Sequence, residues 1–341
     1  MGQSFWSRGP SLSTHFTAKD FPSLCLRADA EHNYALVLQA SIELTQLLHN
    51  VHDILYSSKE RQMQMVRRGD YNRYLDDFRR SLLAWQGRWD DLKASPKLSS
   101  TLRIVKEYVR LYVNAFAFQS ILSRAVRENH HHASGGTISE SDPRHPLSLF
   151  PHGITSTPEG AYVLEALDAS RDILIITSQT NPESHLRHMP FRFYVYTVYS
   201  AVFLYKAQVF GALGPAEKIE AASLVEQYIR VLERAATNEY HVANRFASLL
   251  KRMWMSDTTV REYSSPMRMA SPALEHSGMN CEALQNISMI DRQVHPDVAF
   301  GTGVPAPADI ATPEFNLFCP EFSSLESELV GLGMGAVDFP I

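Results

Sequence analysis

Apolar residues recur at helical spacing along most of the first 256 positions. Between Leu98 and Arg127 one stripe runs Leu98, Leu102, Val105, Val109, Tyr112, Phe116, and a second runs Ile104, Tyr108, Leu111, Ala115, Phe118, Leu122, Ala125. Both alternate steps of four and three, so a single helix carries two apolar seams and is expected at the centre, enclosed by neighbours. Pro96 should stop what precedes it, with Ser99 or Ser100 as the N-cap.

Upstream, residues 1–28 read as an extended lead-in, and a first long helix is expected from Asp29–Glu31 with the stripe Val37, Ser41, Leu44, Leu48, Val51, Leu55. Gly69 supplies its stop and Asp70 the next cap. A second helix then shows Tyr71, Tyr74, Phe78, Leu82, Trp85 and Trp89 on one face, forming an antiparallel pair with the first. After Asn129 the run HHHASGGTISESDPRHP reads as an exposed loop. Thr157 and Pro158 open a helix through Tyr162, Leu167 and Leu174 to about Thr177.

The run FRFYVYTVYSAVFLYKAQVF, Phe191 to Phe210, has the β-branched and aromatic content of a strand, but its length favours a helix apolar on most sides. Gly214 and Pro215 punctuate. One further helix is expected on Ile219, Leu224, Tyr228, Ile229 and Leu232, and a last one on Val242, Phe246, Leu249, Leu250 and Trp254. The expected fold is all-α: a helical domain over 29–256, and a linker with a largely disordered tail over 257–341.

Charge sharpens that division. The net charge of -5 conceals 12 acidic against 3 basic residues from position 257 onward, leaving 29 basic against 25 acidic before it. In the tail Phe315, Leu317, Phe318, Phe322, Leu325 and Leu329 alternate with Glu314, Glu321, Glu326 and Glu328, the mixture of an amphipathic acidic activation segment. These six apolar residues are the candidate coactivator contacts. The three cysteines, Cys25, Cys281 and Cys319, are too few and scattered for a disulfide scaffold or a cysteine-built zinc site. Neither long uncharged run approaches the roughly 20 residues a bilayer span requires, so no membrane partner is expected.

Candidate chemistry is sparse. His49 and His52, with Asp53 beside them, and His185 with His188 have ligand-like spacing, but nothing in the sequence brings the pairs together. His130, His131 and His132 fall in the expected loop. Asp76 and Asp77 invite comparison with all-helical terpene synthases, where paired aspartates hold magnesium diphosphate. Here Phe78, Arg79 and Arg80 follow, where a third acid is needed; Asp90 and Asp91 are likewise followed by Leu92 and Lys93. Pairing of Asp76 and Asp77 with Arg73, Arg79 or Arg80 on a solvated face is the plainer reading. No catalytic residue, cofactor site or metal site is therefore assigned, and no enzymatic activity is expected. Phe193, Tyr196, Tyr199 and Phe203 are the candidate lining of a pocket for an apolar effector, against the plain reading that they form core. The basic residues form only dipeptides such as Arg67-Arg68, so DNA contact is expected only indirectly or through another domain.

The segments GQSFWSRGPSLSTHFTAKDFPSL, YALVLQASIELTQLLHNVHDILYSS and DYNRYLDDFRRSLLAWQGRW, with the later RHMPFRFYVYTVYSAVFLYKA, resemble the middle homology region of fungal zinc-cluster transcription factors. The resemblance covers most of residues 1–256. It implies an all-helical regulatory domain acting in the nucleus on RNA polymerase II genes, with coactivators as partners, homodimerisation, and a small-molecule effector in some members. The family binds DNA through a cluster of six cysteines holding zinc, and Cys25, Cys281 and Cys319 do not match it. The expectation is a regulatory and activation portion without that module, either part of a longer factor or a shortened protein. The competing readings are a metal-dependent helical enzyme using Asp76 and Asp77, and a helical adaptor.

Overall fold

The computed structural model describes residues 16–25, 33–133, 149–150 and 153–262. Among them every regular element is helical: α1 (Pro22–Cys25), α2 (Tyr34–Leu55), α3 (Lys59–Arg68), α4 (Asn72–Trp89), α5 (Pro96–Ala133), α6 (Gly160–Ser178), α7 (Phe191–Val209), α8 (Pro215–Ala235) and α9 (Val242–Glu262). Short 3-10 turns occupy Ala18–Asp20, Ile154–Ser156 and Leu186–His188. The described part of the lead-in is thus two short helical turns, and α9 continues past position 256. The candidate coactivator contacts Phe315, Leu317, Phe318, Phe322, Leu325 and Leu329 lie outside the described residues.

The doubly striped helix α5 is the axis. Ile104, Val109, Leu111 and Ala117 have no solvent exposure, and α2, α4, α6 and α7 pack around it. Direction follows from the cross-helix pairs. Asn33 N–H bonds Lys93 O at 3.3 Å while His52 meets Tyr112 at 3.0 Å, so α2 runs with α5. Arg124 binds Glu159 and Arg110 binds Glu165, so α6 runs against it. Helix α7 runs with α5 again, Tyr108 facing Tyr196 and Phe118 facing Phe203. The result is an up-and-down bundle in which α2, α5, α7 and α9 begin at one end. Each fully buried Leu, Ile or Phe contributes about 1.5–3 kcal/mol, and one continuous core links all of these helices.

Several boundaries differ from expectation for local reasons. The first helix begins at Tyr34, because Asn33 accepts the Leu36 N–H at 3.0 Å. It ends at Leu55, and a separate helix starts where Ser58 accepts the Arg61 N–H at 3.2 Å. Gly69 stops that helix as expected, in the left-handed region at φ 68°, but Tyr71 and not Asp70 occupies the next N-cap. Pro96 opens α5 instead of stopping what precedes it: it occupies the first turn, where its missing N–H costs nothing, and Ser95 accepts the Leu98 N–H at 3.4 Å. The helix runs on through His130, His131 and His132 to Ala133. Glu159, not Thr157, precedes α6; the Thr157 hydroxyl bonds Ile154 O at 2.8 Å instead. Ile219 is 74% exposed, because the core stripe of α8 is Ala221, Val225, Tyr228, Ile229 and Leu232. Phe191–Val209 is helical, with twelve buried residues.

Candidate functional site

Five tyrosines meet where α2, α5 and α7 adjoin. Tyr108 stacks on Tyr196 at 3.9 Å between ring centroids, meets Tyr199 edge-on at 5.9 Å and lies 5.8 Å from Tyr112. Tyr56 lies 4.5 Å from Tyr112 and donates its hydroxyl to Tyr112 O at 2.8 Å. His52 Nδ1 faces the Tyr112 hydroxyl at 3.0 Å. Loss of hydration pushes Tyr56 and Tyr108 well above the usual phenol range, and the neighbouring phenols push the same way. Burial also raises Tyr196 and Tyr199. These hydroxyls therefore stay protonated and are not bases, and that of Tyr56 is a donor.

The four candidate effector residues divide along this seam. Phe193 is buried in a small cluster with Ile104 and Ile176, against which Tyr196 packs. Tyr199 and Phe203 line a cleft with Ala115, Phe118, Gln119, Leu122, Val202 and Lys206. Its cavity volume is about 20 Å³, room for one water. The cleft lies between α5 and α7, with Phe203 meeting Phe118 edge-on at 5.4 Å. Tyr108 and Phe118, on the second stripe of α5, belong to this aromatic set, although sequence reasoning placed only the α7 side.

The other singled-out residues are engaged separately. His49 Nε2 pairs with Asp53 at 3.2 Å. His185 lies at the opposite end of the bundle, its pKa lowered by burial and by Lys97. Asp76 accepts the Tyr162 hydroxyl at 2.9 Å, and Asp77 pairs with Arg80. Arg79 instead crosses to Glu165 at 2.8 Å. Arg110 binds Glu165 at 2.6 Å and Glu107 at 3.2 Å, so an ion network joins α4, α5 and α6. Burial first, then Glu107, raises the Asp172 carboxyl beside it. Among the described residues no three or more metal-ligating side chains are gathered. No described helix is long and apolar enough to cross a membrane.

The fold is that of an all-α helical bundle whose candidate site is an aromatic seam between parallel helices. Over 211 residues the chain is 27% identical to the transcription factor hmgR of Aspergillus fumigatus, a stretch covering 62% of this chain and 26% of that protein. The chain thus spans about a quarter of the length of this relative. No family model matches it, and no solved structure matches it either.

Proposed function

We propose that the chain is the regulatory and transactivation portion of a fungal zinc-cluster transcription factor, acting in the nucleus on RNA polymerase II genes. The similarity to hmgR carries this reading, and the net -9 of the segment after position 256, from 12 acidic and 3 basic residues, supports it. In this reading the helical body is a non-catalytic scaffold that homodimerises. Phe315, Leu317, Phe318, Phe322, Leu325 and Leu329 enter an apolar groove of a coactivator while the flanking acids speed the encounter. DNA contact belongs to a zinc-holding six-cysteine module that Cys25, Cys281 and Cys319 do not form. A small-molecule effector, where one acts, would enter between α5 and α7 beside Tyr199 and Phe203. The test tethers residues 295–341 to an unrelated DNA-binding domain. A reporter should respond, and its response should collapse when the six apolar residues become alanine; a silent reporter, or one indifferent to the alanines, removes the reading.

A further inference from the structure

Residues 181–189 join α6 to α7 through a segment with its own hydrogen bonds. Asn181 Oδ1 accepts the N–H of Glu183 at 3.0 Å and of Ser184 at 2.9 Å. Asn181 O accepts those of His185 and Leu186, Pro182 O that of Arg187, His185 O that of His188, and Leu186 O that of Met189. Every amide from Glu183 to Met189 is thereby bonded within the segment. Contacts to three helices leave it. Lys97, in the first turn of α5, donates to Ser184 O at 3.2 Å, and the Tyr194 hydroxyl of α7 donates to Leu186 O at 2.7 Å. Arg187 donates to Ala235 O at 3.0 Å and Arg234 O at 3.2 Å. Those are carbonyls of the last turn of α8, which lack partners inside the helix, so the guanidinium caps that helix from outside.

His185 lies in the middle of the segment. Its Nε2 is sealed from solvent and has no hydrogen-bond partner among the described residues, so Nδ1 is the better place for the proton of the neutral ring. A second proton would make Nε2 a buried charged donor with nothing to accept it, far costlier than an idle acceptor. The Lys97 ammonium, fixed on the neighbouring Ser184 carbonyl, adds like-charge repulsion. Burial first and Lys97 second accordingly lower the pKa of the ring. The other charged and titratable groups around it are Glu183, Arg187 and His188 in the segment itself, Arg192 and Tyr194 on α7, Arg234 on α8, and His241 before α9.

We propose that residues 181–189 are an acid-released clasp: protonation of His185 expels its ring and frees the start of α5, the start of α7 and the end of α8 together. In the open segment the ring titrates near the ordinary value of about 6.5. Closure is therefore at full strength above that pH, weakens as pH falls below it, and levels off under the depressed closed-state value. For one proton the change is at most about tenfold per pH unit.

Hydrogen exchange of the intact chain between about pH 7.5 and 5, read by mass spectrometry and corrected for the intrinsic pH dependence of amide exchange, tests the clasp. Protection of peptides covering 181–189 should fall below about pH 6.5 within that one-proton limit. The end of α8, where Ala236 N–H bonds Leu232 O at 3.1 Å, should lose protection in parallel, while the middle of α6 keeps its own. His185→Phe retains a ring that takes up no proton and should make the protection of 181–189 independent of pH. His185→Gln repeats the measurement where circular dichroism at pH 7.5 shows the phenylalanine to disturb the fold. His241→Asn should leave the fall in place, which separates the clasp from the cap of α9. Protection of 181–189 that is flat after correction, or that falls equally in both His185 variants, overturns the proposal. So does opening of 181–189 with the end of α8 still protected, or a loss confined to the turn between α8 and α9, which would assign the acid response to His241.

Discussion

Arg124 and Glu159, 35 positions apart, close the bundle with an ion pair of 2.6 Å, and the Tyr71 hydroxyl donates to the same carboxylate oxygen at 2.9 Å. Glu159 is nearly buried at 7% exposure, so its charge depends on these two donors. Three helices, α4, α5 and α6, are tied at one point.

Removing one partner should therefore cost more than removing the pair. Arg124→Ala leaves a buried carboxylate short of its cation and should destabilise by about 2–3 kcal/mol, at the low end of buried-pair losses because the arginine is partly solvated. Tyr71→Phe should cost roughly 1 kcal/mol. The double variant Arg124→Met/Glu159→Leu should recover part of the loss. Urea titrations of the intact chain decide it; equal losses for single and double variants would count against the role assigned to the pair.

Glycines 87 and 160 predict opposite outcomes for one substitution. A Cβ on Gly160 would stand 2.2 Å from Ile154 O, a backbone atom that cannot yield without moving the 3-10 turn before α6. Gly160→Ala should cost several times the typical ~1 kcal/mol of a point change. Gly87, inside α4, has nothing within 4 Å of that position, so Gly87→Ala should stabilise by about 0.5–1 kcal/mol. Thermal melts of both variants supply the check.

The two seams of α5 were readable because a period of 3.6 is a property of one segment, and Leu102, Val109, Leu111 and Phe116 are all buried as it requires. The helical state of Phe191–Val209 was readable from length alone. What escaped is relational. Ile219 has helical spacing to Tyr228 and Leu232 only loosely, and the wheel turns it outward once Ala221 is counted as core. The break between α2 and α3 depends on a single serine cap, Ser58, which looks like any polar residue in a helical run. At the candidate site, Tyr196 and Tyr199 were visible on α7, but their partners Tyr108 and Tyr112 come from a helix some ninety positions earlier.

The tyrosine seam predicts an alkaline limit. Burial raises the folded-state pKa of Tyr56, Tyr108, Tyr196 and Tyr199 above the unfolded value near 10. The unfolded chain then binds fewer protons above that pH, so the stability these groups lend is complete below about pH 10 and declines as pH rises further. Phenolate absorbance from the seam should appear only together with loss of helical circular dichroism. A single smooth titration with helicity intact would show the seam to be wet.

At the acidic side His241 sets a milder limit. Its Nδ1 accepts the Ala243 N–H at 3.1 Å at the start of α9, and burial followed by Arg187 lowers its pKa. Protonation converts that acceptor into a donor. A depressed folded pKa gives stability present above the unfolded value near 6.5 and lost as pH falls below it. His241→Asn, which retains a capping oxygen without the charge, should flatten the dependence between about pH 6.5 and 5. Unchanged curvature in the variant would assign the acid sensitivity elsewhere.

The cleft beside Tyr199 and Phe203 makes the effector reading measurable. Its cavity volume of about 20 Å³ is far below the roughly 300 Å³ at which ligand pockets begin, so an effector would have to separate α5 from α7 before it could bind. Small aromatic probes such as indole should leave the melting temperature of the native chain unchanged. Phe203 is 4% exposed and packs on Phe118, so Phe203→Ala should cost about 3–5 kcal/mol and leave an apolar void. A probe that fills this void binds only the folded state, and at a hundred times its dissociation constant it should restore about 2.7 kcal/mol. Rescue of the variant with no response of the native chain identifies a closed core site that an effector must open. A response of the native chain itself would mean that the cleft opens spontaneously, and would strengthen the case for an effector at this seam.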